Sequence, residues 1–389
     1  MGLYRGDYMK LIHSGDLHIG KMISEFSLLE DQVFILDQIA AIAKQEKADG
    51  ILLAGDIYDR AIPPSDAVKV LNDFLTMLSK EGITIFLVSG NHDSPERLSF
   101  AKDLLKGQKL YIAGEMTSEI EKVTVEDEYG ELNFYLLPFA KPAVMRHFGY
   151  EGNTYGSCVK DMVEKIKIEE NNRNLVITHH FVAGDALNIE EPEAEYPISV
   201  GGIDVIDYHC LEKFDYVALG HIHQAQQVGA KTIRYSGSPL KYSFSEANHE
   251  NSVACIELYE KGNIKIREIP LNPRRQLRAI KGTLEELIKE EVVNACNPED
   301  YLKVTLTDTK EIIDPIGKLR SVYPNICKLI LEKNIRHESD MEALVKDMTR
   351  RSILEIYEEF YEKVTDQPLD QVSMEAMREI IETAGGMDE

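Results

Sequence analysis

The sequence predicts an α/β fold built on a mostly parallel sheet, and three observations carry that expectation. Short apolar runs alternate with stretches of helical period. The first three runs are separated by one such stretch each. Every run ends in a polar cluster of Asp, Asn or His. Strand–helix–strand order implies right-handed crossovers and parallel pairing. Ligands collect beyond the carboxyl ends of such strands.

Met9–Ser14 reads as a buried strand that delivers Asp16. Residues 28–44 place Leu29, Val33, Leu36, Ile39, Ala40 and Ala43 at helical spacing. Gly50–Ala54 is a second strand, ending at Asp56. Ser65 is expected to cap a helix over 66–79 with Val68, Leu71, Leu75 and Leu78 inward. Residues 83–88 form a third strand, ending at Gly90-Asn91-His92.

A hairpin turning at Tyr129-Gly130 joins 123–125 to 132–137, and 155–168 reads as a helix. Residues 175–177 and Tyr216–Leu219 are short strands that end at His179 and at His221-Ile222-His223, with an acidic, proline-bearing loop over 190–195 between them. Residues 253–258 and 264–269 make a second hairpin around Lys261-Gly262-Asn263. A linker over 270–275 precedes a small α/β domain over 276–333, where Thr283 caps a helix over 284–293 and 302–306 alternates like a strand.

Residues 341–361 and 373–383 read as amphipathic helices within a tail, 341–389, that carries 13 acidic and 5 basic side chains. Its apolar stripe (Ile353, Leu354, Ile356, Tyr357, Phe360, Tyr361) reads equally well as core or as a docking face.

The 389 residues suggest two or three domains, at about 150 each, and 43% hydrophobic residues allow a sizeable core. The five cysteines (Cys158, Cys210, Cys255, Cys296, Cys327) are scattered and form no CxxC pair. They predict neither a disulfide framework nor a zinc–thiolate site, and they fit a reducing cytoplasm. Residues 1–8 hold one Arg and no apolar stretch of the signal-peptide kind, so they read as a leader upstream of Met9. No run approaches the roughly 20 apolar residues of a membrane span. The net charge of −24 argues against unaided tight DNA binding, because phosphate contacts favour Lys and Arg. A nuclease stays open, since bound cations supply positive charge locally and a partner subunit can contact DNA.

The chemistry lies in five segments: Asp16-Leu17-His18, Gly55-Asp56, Gly90-Asn91-His92-Asp93, Thr178-His179-His180 and Gly220-His221-Ile222-His223. Carboxylate and amide oxygens mixed with imidazole nitrogens suit two divalent ions such as Mn, Fe or Zn. Asp56 is the natural bridge, because one carboxylate has two oxygens. Asn91 adds a neutral oxygen. His179, His221 and His223 add nitrogens. His92 is better placed to protonate a leaving oxygen or to hydrogen bond the developing charge. Asp59 and Asp93 fit two readings, orienting ligands or holding turns, and Arg97 fits a phosphate contact or a surface ion pair.

These motifs resemble the calcineurin-like metallophosphoesterases, and most closely the Mre-type nucleases of DNA break repair. The finer match lies in His13-Ser14-Gly15-Asp16-Leu17-His18-Ile19-Gly20, Gly55-Asp56-Ile57-Tyr58-Asp59, Gly90 to Leu98 and Gly237 to Phe244. The resemblance implies a sandwich of two mixed sheets flanked by helices over 9–270, a capping α/β domain over 271–337 and a helical partner-docking tail over 338–389. It implies that Asp16, His18, Asp56 and His223 hold one ion, that Asp56, Asn91, His179 and His221 hold the other, and that His92 is catalytic. His180 is not needed as a ligand. It further implies a homodimer, a coiled-coil ATPase partner, Mn as the working metal, and exonuclease action on duplex ends with endonuclease action on single strands or hairpins.

Two alternatives compete with this nuclease. A small-substrate phosphodiesterase or phosphatase would use the same ions, but the protein-phosphatase pattern Gly-Asp-x-x-Asp-Arg-Gly is broken here at Asp59-Arg60-Ala61. A scaffold without catalysis would have no need of the full ligand set.

Overall fold

A computed structural model describes residues 8–184 and 205–332, together with 361, 373, 374 and 377. The acidic loop over 190–195, the leader and the C-terminal helices expected from sequence fall outside the described residues, apart from those four positions.

Chain order runs β1 (Met9–Ser14), α1 (Leu29–Gln45), β2 (Gly50–Ala54), α2 (Ser65–Lys80), β3 (Thr84–Val88) and β4 (Leu110–Ala113). There follow β5 (Glu121–Asp127), β6 (Gly130–Leu137), α3 (Pro142–His147), α4 (Tyr155–Lys165), β7 (Arg173–Thr178), β8 (Tyr216–Leu219), β9 (Gln226–Val228), β10 (Ala230–Tyr235), β11 (Ser252–Leu258) and β12 (Ile264–Pro270). Two six-stranded sheets result, in the orders β12-β11-β1-β2-β3-β4 and β9-β10-β8-β7-β6-β5. Strands β1 to β4 pair in parallel, while β11 and β12 add antiparallel. In the second sheet β6, β7, β8 and β10 are parallel, with antiparallel hairpins at both edges.

The central strands are buried on both faces, which is why they read as continuous apolar runs. Alternate residues serve different layers. Leu11, Leu52 and Phe86 face the other sheet, where Phe86 stacks on Phe134 at 4.0 Å between centroids. Ile12, Ile51 and Ile85 face α1 and α2. On the far side, Val176 and Val217 pack with Met145, Cys158 and Met162 of α3 and α4. The product is a helix–sheet–sheet–helix sandwich. Each fully buried Leu, Ile or Phe contributes about 1.5–3 kcal/mol.

Several sequence expectations need correction. Ser65 is the first residue of α2, not its cap; Pro64 holds that position with no side-chain hydrogen bond. The buried face of α2 is Ala67, Leu71, Phe74 and Leu78, so Val68 is 46% exposed. A methyl at Ala67 admits the close approach of the Gly20 loop, which a valine there would block. On α1, Val33 is exposed and Gln32 is buried. The helix α4 stops at Lys165 because Ile166 turns extended.

The chain divides into two compact units, the first taking in the sandwich up to Ala279 together with Cys296–Leu302 and Tyr323–Cys327. Leu277–Gly282, Tyr301–Leu306 and Ile326–Leu331 make a three-stranded sheet in that order. Thr283 does cap a helix, through a capping box with Glu286. That helix ends at Leu287, and a second turn, Glu290–Val293, follows because Lys289 is extended. The single helix expected over 284–293 is thus two short ones.

Candidate metal centre

Strands β1, β2 and β3 of one sheet and β7 and β8 of the other end on the same side of the sandwich, and every expected ligand lies just past one of these ends. The sheets are tied there. His179 Nδ1 donates to the Ala54 carbonyl at 2.7 Å, and the His221 N–H donates to Asp16 Oδ1 at 2.9 Å. The Asp16 N–H donates to Gly55 O at 3.0 Å, and the His18 N–H to Asp56 O at 2.9 Å.

Two glycines make this convergence possible. A Cβ at Gly90 would collide with Asp56 Oδ1, and one at Gly220 would collide with the Ala54 carbonyl oxygen. Four of the seven expected ligands lie in the left-handed region, with φ of 52° at Asp16, 42° at His18, 47° at Asp56 and 98° at His221. Such angles are costly for residues with a Cβ, and they cluster at functional sites.

The side chains converge. Asp16, His18 and His223 bring ligand atoms within 4.8 Å of one another, as do Asp16, Asp56 and His179. Asn91 Oδ1 lies 3.1 Å from His179 Nε2 and 3.0 Å from His221 Nδ1. Asp56 Oδ2 is 3.1 Å from His179 Nε2 and 3.7 Å from His18 Nε2. All seven residues expected from sequence are therefore brought into one cluster.

Tautomers follow from the outer contacts. The Ala54 carbonyl only accepts, so His179 carries a proton on Nδ1 and turns Nε2, the atom at which a cation would replace a proton, towards Asp56 and Asn91. His223 Nδ1 lies 2.9 Å from the Glu246 carboxylate, which fixes the same tautomer and turns Nε2 to within 3.2 Å of His18 Nε2. Electron-rich atoms facing each other at such distances need a positive charge between them. Asp16 Oδ2 is buried with no hydrogen-bond partner among the described residues. The donor set thus fits divalent cations of the N/O-preferring kind.

Burial pushes the Asp16 carboxyl up to about 6, against the pull of His179 and His223. Burial also raises Asp56, but His179 outweighs it by charge and hydrogen bond and holds that carboxyl below the usual range. His179 answers in kind: burial lowers it, yet Asp56 and Asp16 lift it to about 9.

His92 stands beside this set. Its Nδ1 donates to the Asp59 carbonyl at 2.9 Å, its N–H donates to Asp56 Oδ1 at 2.9 Å, and Nε2 lies 4.0 Å from Asp56 Oδ2. His18, Asp59 and His92 also form a cluster within 4.8 Å. Asp93 holds turns. It accepts from the N–H groups of Ile57, Tyr58 and Gly90 at 3.1, 2.9 and 2.9 Å. His180 is spent internally, 2.8 Å from Thr178 Oγ1 and stacked on Phe139. Arg97 is exposed, and Tyr242 is buried with its hydroxyl donating to Leu17 O at 2.5 Å.

Two contributors are missing from the sequence expectations. Glu246 orients His223 through one oxygen and accepts the Tyr242 N–H at 2.9 Å through the other. Gln32 of α1 receives the Gly20 N–H and donates to the Leu17 and His18 carbonyls, pinning the first ligand loop. A signal for Gln32 existed: a polar residue on the apolar face of a helix. Glu246 had none, because it sits in a short 3-10 turn, Phe244–Asn248, away from every strand end.

Comparison with known proteins agrees with this geometry. Residues 9–225 match the calcineurin-like phosphoesterase family model, and residues 273–365 match the SbcD_C model, described as the type 5 capsule protein repressor C-terminal domain. SbcD of Staphylococcus epidermidis, a subunit of the nuclease SbcCD, is 31% identical over 378 residues, 96% of this chain and 98% of that one. Among solved structures, a dimetal phosphatase from Danio rerio is similar at 13% identity, covering 69% of this chain and 100% of that one, with a TM-score of 0.39. The protein TT1561 of Thermus thermophilus is similar at 12% identity, covering 67% and 99%, also with a TM-score of 0.39. The ligand-bearing strand ends and the match along nearly the whole length agree: the chain belongs to the calcineurin-like phosphoesterases and, within them, to the SbcD family.

Proposed function

We propose that this chain is a metal-dependent DNA nuclease subunit that works with a coiled-coil ATPase of the SbcC type in DNA end processing. The observation that supports it best is the convergence of Asp16, His18, Asp56, Asn91, His179, His221 and His223 past five strand ends, with the Asp16 Oδ2 atom buried and unpartnered among the described residues. Asp16, His18, Asp56 and His223 would hold one ion, and Asp56, Asn91, His179 and His221 the other, with Mn as the working metal. Bound there, two divalent ions supply Lewis-acid activation of water and of the phosphodiester.

The chain's own groups do the rest. The Asp59 carbonyl fixes the His92 ring through Nδ1, so Nε2 is the atom that passes a proton to the leaving oxygen. Glu246 and the Ala54 carbonyl hold His223 and His179 in the ligating tautomer. Asp93 keeps the two loops that carry Asp56 and Asn91 in register.

The domain reading accompanies this function: nuclease over 9–270, capping domain over 271–337, partner-docking tail over 338–389. A homodimer is supported by Phe100 and Leu104, which are 81% and 82% exposed close behind the Asn91-His92 segment. No helix among the described residues is long and apolar enough to cross a membrane, in keeping with action in the cytoplasm.

Purified protein with Mn should degrade linear duplex DNA and cut single-stranded DNA faster than it hydrolyses a small phosphodiester. Preference for the small ester would replace the nuclease with a small-substrate phosphodiesterase.

A further inference from the structure

We propose a second anion-binding surface, apart from the candidate metal centre: a groove at the edge of the sandwich that tracks the phosphate backbone of a nucleic-acid strand. This inference rests on the nuclease reading and adds a place for the substrate. The groove, ≈550 Å³, opens between β10 of one sheet and β12 of the other. Lys231, Arg234, Lys265 and Arg267 line it, with Glu257 as its single acidic residue. Its floor is apolar, from the half-buried Ile264 and Ile266.

Part of this charge is already matched. Arg234 pairs with Glu268 and Arg267 with Glu46, while Glu257 pairs with Lys10 at 3.3 Å. Two ammonium groups are not matched. Lys231 makes no ion pair among the described residues, and Lys265 meets only Tyr259, 4.8 Å from the ring centre and 3.5 Å from the hydroxyl. Arg234 Nε is buried with no hydrogen-bond acceptor among the described residues. In a chain of net charge −24, this is a local inversion of sign.

Lysines on edge strands also deter unwanted strand pairing. That accounts for Lys265 and Arg267, because β12 is an edge. It does not account for Arg234, which is in register with Ala218 of β8 on one side and Gln227 of β9 on the other. Cations contributed by two strands of two sheets favour an extended polyanion over a single phosphate.

The groove is in reach of the metal centre. Lys265 is in register with Glu257, and Glu257 with Lys10, six residues before Asp16 on β1. At about 3.3 Å per residue the separation is about 20 Å. That equals about six base steps along a nucleic-acid strand.

The test compares the full-length Mn-loaded protein with a Lys231→Gln/Lys265→Gln double variant. Binding of a fluorescein-labelled 30-nucleotide phosphorothioate strand, chosen to resist cleavage, is followed by anisotropy across a salt series; cutting of the unmodified strand is assayed alongside, and hydrolysis of bis(p-nitrophenyl) phosphate is the control for an intact metal centre. The expected result is about tenfold weaker binding and a salt slope shallower by about 1.4, from the loss of two phosphate contacts, with small-ester hydrolysis unchanged. Equal affinity and equal slope would overturn the groove, leaving it to edge protection or an acidic peptide, even if both proteins cut the strand. A parent protein that hydrolyses the small ester but neither binds nor cuts the strand would instead overturn the nuclease reading.

Discussion

Glu246 and His223 meet at 2.9 Å, carboxylate to Nδ1, and this contact decides which imidazole nitrogen faces the metal centre. Replacing Glu246 by Gln removes the charge and sets an amide N–H against either the His223 N–H or the Tyr242 N–H. Metal affinity should fall about 10–100-fold, as for other outer partners of metal-bound histidines. Isothermal titration calorimetry with Mn measures it directly. An unchanged dissociation constant would remove Glu246 from the account.

His92 has a different signature. Its ring is fixed by a backbone carbonyl and is not among the expected ligands. His92→Ala should slow DNA cleavage about a hundred- to ten-thousand-fold, the usual range for a lost proton donor. The same calorimetry should still find two bound ions. A variant that cuts at the parent rate would strip His92 of its role.

Asp93 takes three buried backbone donors at once. Asp93→Ala leaves them without an acceptor, at about 1–3 kcal/mol each in the general case. Urea unfolding should show a loss of at least about 3 kcal/mol, with weaker Mn binding alongside, because the loops of Asp56 and Asn91 separate. Stability within about 1 kcal/mol of the parent, the error of a careful measurement, would show that water replaces the carboxylate.

His13 supplies a pH dependence independent of the ligands. It is fully buried, with Tyr216 at 2.9 Å and the Leu219 carbonyl at 3.2 Å. Burial first, and the Arg234 guanidinium second, push it down to about 3. The unfolded chain titrates near 6.5, so below that pH it binds a proton that the fold refuses. The stabilisation is complete above about 6.5 and drains away as pH falls towards 3, at up to about 1.4 kcal/mol per unit. His13→Gln should therefore narrow its stability gap to the parent as pH is lowered from about 7 to about 4.5 in urea titrations. A gap independent of pH would contradict the burial of a neutral imidazole.

The central strands were legible because they are buried on both faces and so appear as unbroken apolar runs between polar ends. The ligands were legible for the same reason: they occupy those ends. Helix faces were less so. The spacing of Leu71 and Leu78 fits a face through Val68 or through Ala67, and only the approach of the Gly20 loop selects the alanine. The interruption at Lys289 has no Gly or Pro to announce it, and Thr283 with Glu286 caps a helix of any length equally well. Glu246 acts across 23 positions of chain on His223, a separation no local pattern encodes.

The left-handed turns at Asp16, His18, Asp56 and His221 set the interests of fold and chemistry against each other. At His18 and His221, glycine would relax the backbone by about 1–2 kcal/mol per residue, less the entropy that glycine adds to the unfolded chain. Each such gain would delete a proposed metal ligand. Endurance to heat and hydrolytic competence therefore cannot both be maximal in this chain, and cation binding is what reconciles them in the working protein.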